Sequence, residues 1–402
     1  MLVSADPSVA HNDTFAQLLG TFIVGFGDTH RAATVPVSQH LSMEGVVVDP
    51  FEANRLPVLI GSLPVADHGA AIGMVFEYTP EIPLWVQLPA HPEEGMIVQF
   101  LPGMPGVVHK EGRTFVDTTT SSFEAELLKF YEEYLLVTEG DAPLDSTRFA
   151  LTEETAKGFF ALLDALKGTP RVPAALKGQI TGPVTLATAL TDQDRRALFY
   201  DERLLDVAVK TLAMKARWQV EKLSQGGLPA IVFIDEPGLA GFGTSAFISI
   251  SREDVAKVLS EVIDAIHLAG GLAGVHVCAN TDWSLILDSS ADILSFDAYG
   301  FFDRLVLFRE GLKRFFDQGR VLAWGIVPTS DSHDIEKETG PSLAAKWQGQ
   351  VAHLETLDID RDKILAQCLI TPSCGTGSLT RAEAVKVLEM TREVSQRLRS
   401  QA

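Results

Sequence analysis

From residue 57 onward the chain repeats one unit, a short apolar run ending in Gly, Pro, Asp or Ser followed by a stretch with apolar residues at helical spacing. The runs are Pro57–Gly61, Leu84–Leu88, Ala175–Thr181, Ala230–Ile234, Leu272–Val277, Ile293–Asp297, Val321–Ile326 and Cys368–Thr371. Most are continuously apolar rather than alternating, as expected of parallel strands covered on both faces. Amphipathic segments such as Arg252–Ala269 and Arg381–Leu398 lie between or after them. Eight βα units over roughly 250 residues or more is the pattern of a TIM (β/α)8 barrel. An α/β fold of that kind is the expectation for residues 57–402.

One connection breaks the rhythm. Between the second and third runs the chain carries the Gly/Pro-rich stretch Pro102-Gly103-Met104-Pro105-Gly106, then Lys110-Glu111-Gly112, where a hairpin is expected. Acidic helical stretches follow near Ser122–Tyr134 and Thr152–Leu166. This reads as an insertion between strands 2 and 3, covering about residues 102–150, together with the usual outer helix. Residues 1–56 do not fit the barrel count and are expected to form an N-terminal extension, an arm without evident chemistry.

Three cysteines in 402 residues exclude a disulfide framework and point to a reducing cytoplasm. A formal net charge of −20 argues against nucleic acid or an anionic membrane as partner. No run is long and apolar enough to span a bilayer.

In a barrel of this class chemistry sits at the carboxyl ends of the strands. His276 and Cys278 close the fifth run two residues apart, so that strand geometry turns both side chains the same way. Cys374 follows the eighth run in a Gly-rich loop, and Asp297 ends the sixth. Together they offer N, S, S and O donors around one opening, a set that suits zinc. A His-x-Cys pair alone arises often by chance; the placement of Cys374 is what favours a metal. Cys368 lies inside an apolar run and reads as core. Asp235-Glu236 follows the fourth run, where two carboxylates suit an ammonium group or a proton relay; an ion pair inside the barrel is an equal alternative for Glu236. Ile60-Gly61-Ser62 closes the first run, with a glycine that permits close backbone approach and a hydroxyl for a ligand carboxylate. Thr181-Gly182-Pro183-Val184-Thr185 follows the third, a turn able to start a helix.

These pieces, in this order, resemble the catalytic domain of cobalamin-independent methionine synthase, from about Pro57 to the end, with Ala291–Asp297 and Cys374-Gly375 completing the set. The resemblance implies a TIM barrel that moves a methyl group from methyl-tetrahydrofolate to the sulfur of a homocysteine-like thiol, with zinc as cofactor. It implies metal ligands at His276, Cys278 and Cys374, with Asp297 where the family has Glu. It implies substrate binding by Ile60, Gly61 and Ser62, with Asp235 and Glu236 at the amino end. The sequence departs from the family at Ala189, where a folate-stacking Trp belongs, and after strand seven, where Ser330 or Asp331 would replace a proton-donating His. Both departures fall on the donor side. A zinc methyltransferase fed by a methylated corrinoid protein is therefore an alternative. A metal-free decarboxylase of the uroporphyrinogen decarboxylase type is another; it needs an arginine cluster, and Arg195-Arg196 is expected on an exposed helical stretch.

Overall fold

The computed structural model describes residues 51–400 apart from 170, 171 and 248. The arm expected over residues 1–56 thus lies outside the described residues except for 51–56. Within that remnant Ala53 is buried in the core that Leu56 and Val58 also enter.

The strands are β1 (Leu56–Pro57), β2 (Val107–Lys110), β3 (Arg113–Val116), β4 (Leu176–Thr181), β5 (Ala230–Asp235), β6 (Leu272–Val277), β7 (Ile293–Phe296), β8 (Val321–Val327) and β9 (Cys368–Pro372). Seven form one parallel sheet in the order β1-β9-β8-β7-β6-β5-β4. Every residue of β4 to β9 is buried, as expected of parallel strands covered on both faces. The sheet curls so that the Leu84–Gln87 segment meets both of its edges. Leu84 bridges Lys177 and Gln87 bridges Ser62, both in parallel sense, with Gln87 N–H donating to the Gly61 carbonyl at 3.2 Å. This is a TIM-like arrangement in which the second expected strand survives as bridges rather than as a ladder.

Long helices cover the strands, among them Glu202–Leu223, Arg252–Leu268 and Arg381–Ser400. The connection before β4 carries the expected hairpin, β2 paired antiparallel with β3. Its turn is Glu111-Gly112, at φ 53° and 72°, the left-handed conformation that two-residue hairpin turns demand. Helices Phe123–Glu139 and Lys157–Leu166 follow.

Register stacks the interior in levels. Gln179, Phe233, Gly274, Ile293 and Val321 are cross-strand partners on one level; Thr181, Asp235, His276, Ser295 and Ala323 form the next towards the carboxyl end. Gly274 is a packing requirement, because a Cβ there would collide with the Phe233 ring. Phe233 thereby forms a floor beneath the polar level. Lys177, fully buried, lies over its face, with Nζ 4.4 Å from the ring centroid and 2.6 Å from the Ile60 carbonyl. No helix among the described residues is long and apolar enough to cross a membrane.

One buried charge works against the fold. Lys215, on Glu202–Leu223, is 1% exposed and its Nζ has no hydrogen-bond partner. Burial pulls its pKa down from 10.5 to about 7. The folded value lies below the unfolded one, so the penalty is complete below about pH 7 and fades as pH rises towards 10.5. Lys215→Met is expected to stabilise the protein at pH 7 by on the order of a few kcal/mol and to remove this part of the pH dependence. Denaturant midpoints of both proteins at pH 6.5 and pH 9.5 check this; equal midpoints at the lower pH would refute it.

Candidate metal and thiol site

The level above the Phe233 floor is polar because the carboxyl ends of β5, β6 and β7 meet there. His276 is the penultimate residue of β6 and Cys278 follows its last. Cys374 comes in from the loop after β9. One ligand atom from each of these three residues lies within 4.8 Å of the others, so the structure gathers the soft part of the expected donor set. This group could hold a metal ion.

Its internal chemistry fits that use. His276 is 3% exposed. Its Nδ1 is 2.9 Å from the Ser295 hydroxyl, while its Nε2 is buried with no partner. A buried nitrogen without a partner is costly unless something is meant to meet it. Cys278 is held below the usual thiol range, first by the S–H of Cys374 donating to it and then by His276. Cys374, as that donor and by burial, is pushed up. A thiol held low yields its proton more readily, which is what a soft cation requires of a sulfur ligand. Cys368, fully buried in β9, has its thiol raised by burial and belongs to the core, as expected.

Asp297 stands outside the three-residue group. It ends the β7 run but spends Oδ1 on the Gly300 N–H at 2.8 Å, capping helix Ala298–Leu305. Burial holds its carboxyl above the ordinary range, opposed by the Gly300 and Tyr299 N–H groups, and the Cys278 charge adds to the rise.

Asp235 ends β5 beside His276 in register. It is 7% exposed and Oδ1 has no partner. Burial raises its carboxyl to about 6, against the pull of His276 and Lys177. Thr371 Oγ1 on β9 is likewise buried without a partner. Glu236, one residue on, is turned elsewhere. Oε1 accepts from Val184 N–H at 2.9 Å and Oε2 from Thr185 N–H at 2.8 Å and the Thr185 hydroxyl at 2.6 Å. It closes the N-terminus of helix Pro183–Ala189. The ion pair that the sequence offered as an alternative for Glu236 is not found among the described residues.

Ile60, Gly61 and Ser62 line a small cleft with Cys374, Gly375 and Thr376. Ser62 Oγ accepts from Gly377 N–H at 3.1 Å, and its carbonyl accepts from Thr376 N–H and hydroxyl, each at 3.0 Å. A side chain at Gly375 would strike the Ser62 hydroxyl, so the glycine lets the cysteine loop close on the first strand. Ser330 and Asp331 are exposed, and Asp331 caps helix Ser332–Lys337 by accepting from His333 N–H. Arg195-Arg196 lies in a turn with Arg195 at φ 67°, not on a helix.

Two polar residues of this region were not singled out in the sequence. Lys177 and Ser295 each interrupt an apolar run at a period-2 position, Lys177 on β4 and Ser295 two residues before Asp297. That interruption was the available signal.

No protein-family model and no curated protein matches the chain. Among solved structures it is similar to a B12-independent methionine synthase from Shewanella sp. W3-18-1 in complex with selenomethionine, at 15% identity and TM-score 0.49, over 86% of this chain and 98% of that one. It is also similar to a methyltransferase from Methanosarcina mazei, at 15% identity and TM-score 0.47, over 84% of this chain and 93% of that one.

Proposed function

We propose that the chain is a zinc-dependent methyltransferase that moves a methyl group to a thiol of the homocysteine type. The observation that carries this reading is the His276, Cys278 and Cys374 group, with ligand atoms within 4.8 Å and a buried, unpartnered Nε2. The ordered motif resemblance of the sequence supports it. A zinc ion there would lower the pKa of an incoming thiol and keep its sulfur nucleophilic at neutral pH.

The residues of the chain divide the remaining work. His276, Cys278 and Cys374 hold the ion; Asp297, outside that group with Oδ1 on the Gly300 N–H, is the carboxylate the resemblance assigns as fourth donor. Asp235, with a free Oδ1 at the same level, binds the substrate's ammonium group. The Ser62 hydroxyl and the cleft formed by Ile60, Gly61 and Gly375 receive its carboxylate end. The Phe233 floor excludes water from below, and the fixed strand ends orient the sulfur for in-line attack on the methyl carbon. Ser330 and Asp331, exposed after β8, stand at the positions to which the resemblance assigns proton exchange with the departing donor. The site belongs to a (β/α)8 barrel spanning residues 57–402, in a cytoplasmic protein.

A second reading changes only the donor, to a methylated corrinoid protein. Ala189, exposed at the end of its helix, stands where the resemblance places a folate-stacking Trp. Zinc-loaded protein incubated with homocysteine is expected to form methionine from methyl-tetrahydrofolate or from methylcobalamin. Turnover with methylcobalamin alone selects the second reading. Failure with both donors at full zinc loading would overturn the methyltransferase assignment.

A further inference from the structure

We propose that Ser295 is a positioning residue for the metal, fixing His276 in the tautomer that leaves Nε2 free to ligate. This inference rests on the metal reading above and assigns a role that neither the motif spacing nor the resemblance supplies.

His276 and Ser295 are Cα partners in the β6–β7 register. Parallel neighbours in register turn their side chains to the same face, which brings the Ser295 Oγ to 2.9 Å from Nδ1. Ser295 is fully buried, so water does not compete for that bond. A hydroxyl can donate or accept. If it donated to Nδ1, the ring proton would sit on Nε2, which has no hydrogen-bond partner, and that nitrogen would have no lone pair to offer a cation. If it accepts from Nδ1–H, Nε2 presents a lone pair, which a cation takes up. The second arrangement is the one a metal requires, and a histidine ligand commonly donates its other N–H to such a partner. Packing alone gives no reason for a serine here. Its strand neighbours are Ile293, Leu294 and Phe296, all fully buried, and the strand level below carries Ile293 against Phe233 and Gly274.

The test compares Ser295→Ala and Ser295→Thr with the unsubstituted chain. Zinc affinity is read by competition with a chromophoric chelator, the cobalt-substituted site by its visible absorption, and the metal-free fold by its thermal midpoint. Ser295→Ala is expected to weaken zinc binding by about 10–100-fold and to alter the cobalt bands, while the metal-free midpoint holds. Ser295→Thr, which keeps the hydroxyl, is expected to recover most of the affinity. Equal zinc affinity in Ser295→Ala and the unsubstituted chain overturns this inference and leaves the metal reading standing. A loss that threonine does not restore, matched by a lower metal-free midpoint, also overturns it, in favour of packing. An unsubstituted chain that takes up no zinc overturns both.

Discussion

Purified under reducing, chelator-free conditions, the protein is expected to carry about one zinc ion per chain. Cys374→Ala, Cys278→Ser and His276→Ala are each expected to lose it on dialysis. Their donor atoms form the one group of three or more such residues, among those described, with ligand atoms inside 4.8 Å. Each variant removes a donor outright, so the affinity loss should exceed the ~10–100-fold that follows loss of a residue merely supporting a ligand. Methyl transfer to homocysteine should fall with the metal content. Cys368→Ala is the control: that thiol lies fully buried in β9 with its pKa raised by burial, and zinc content should not change. Metal analysis by mass spectrometry after gel filtration reads the outcome. A Cys374→Ala protein that keeps a full complement of zinc would remove the centre of the functional assignment. Binding should also weaken on acidification, because protons compete for the thiolates and the imidazole.

The second large effect concerns stability. Glu236→Ala is expected to destabilise the protein by roughly 3–5 kcal/mol, read as a fall in urea midpoint. Glu236 is fully buried, and burial raises its carboxyl to about 7 against three hydrogen-bond donors. Those donors, Val184 N–H, Thr185 N–H and the Thr185 hydroxyl, would lose their acceptor in a site closed to water. Gly182 has no side chain because the Glu236 carboxyl fills the space beside it. The substitution therefore leaves a cavity as well. Glu236→Gln keeps one acceptor oxygen but turns an amide N–H towards an N–H, and should fall between the two. A loss smaller than about 1 kcal/mol in Glu236→Ala would show that the helix end finds other partners.

Glu236, Asp297 and Asp331 explain where reading the sequence ran out. Each is an acid at a strand end or in the turn that follows, where a ligand or catalytic carboxylate is expected. Each is also the residue a helix N-terminus seeks, because its first N–H groups lack partners and its dipole favours negative charge. Residue type and spacing are the same for both uses. Side-chain direction decides: Glu236 and Asp331 are committed to helix ends, and Asp297 spends one oxygen that way, outside the His276, Cys278 and Cys374 group. Asp235 differs only in having Oδ1 left over. Lys177 and Ser295 were missed for the opposite reason. A polar residue inside a strand run carries no motif, and its importance appears only when neighbouring strands supply its partner.

From β4 to β9, by contrast, the strand rhythm was legible almost to the residue, whereas Pro57–Gly61 formed a ladder only at Leu56–Pro57 and Leu84–Leu88 only bridges. Ala230–Ile234 became Ala230–Asp235, and Leu272–Val277 kept its bounds. Hydrophobic runs covered on both faces depend on local composition alone, so β4 to β9 could be read before any contact was known. The hairpin at Glu111-Gly112 was legible too, since two left-handed residues between short strands are a local requirement.

The sequence by itself therefore determined the parallel α/β architecture and the kind of donors that end its strands. Periodicity and residue chemistry are properties of short segments. Only the tertiary structure decided which donors meet. It brought Cys374 across from the last strand to His276 and Cys278, set Ser295 against Nδ1, and drew Glu236 away to a helix. Those outcomes depend on register between strands far apart in the chain and on the direction of each side chain, and local sequence encodes neither.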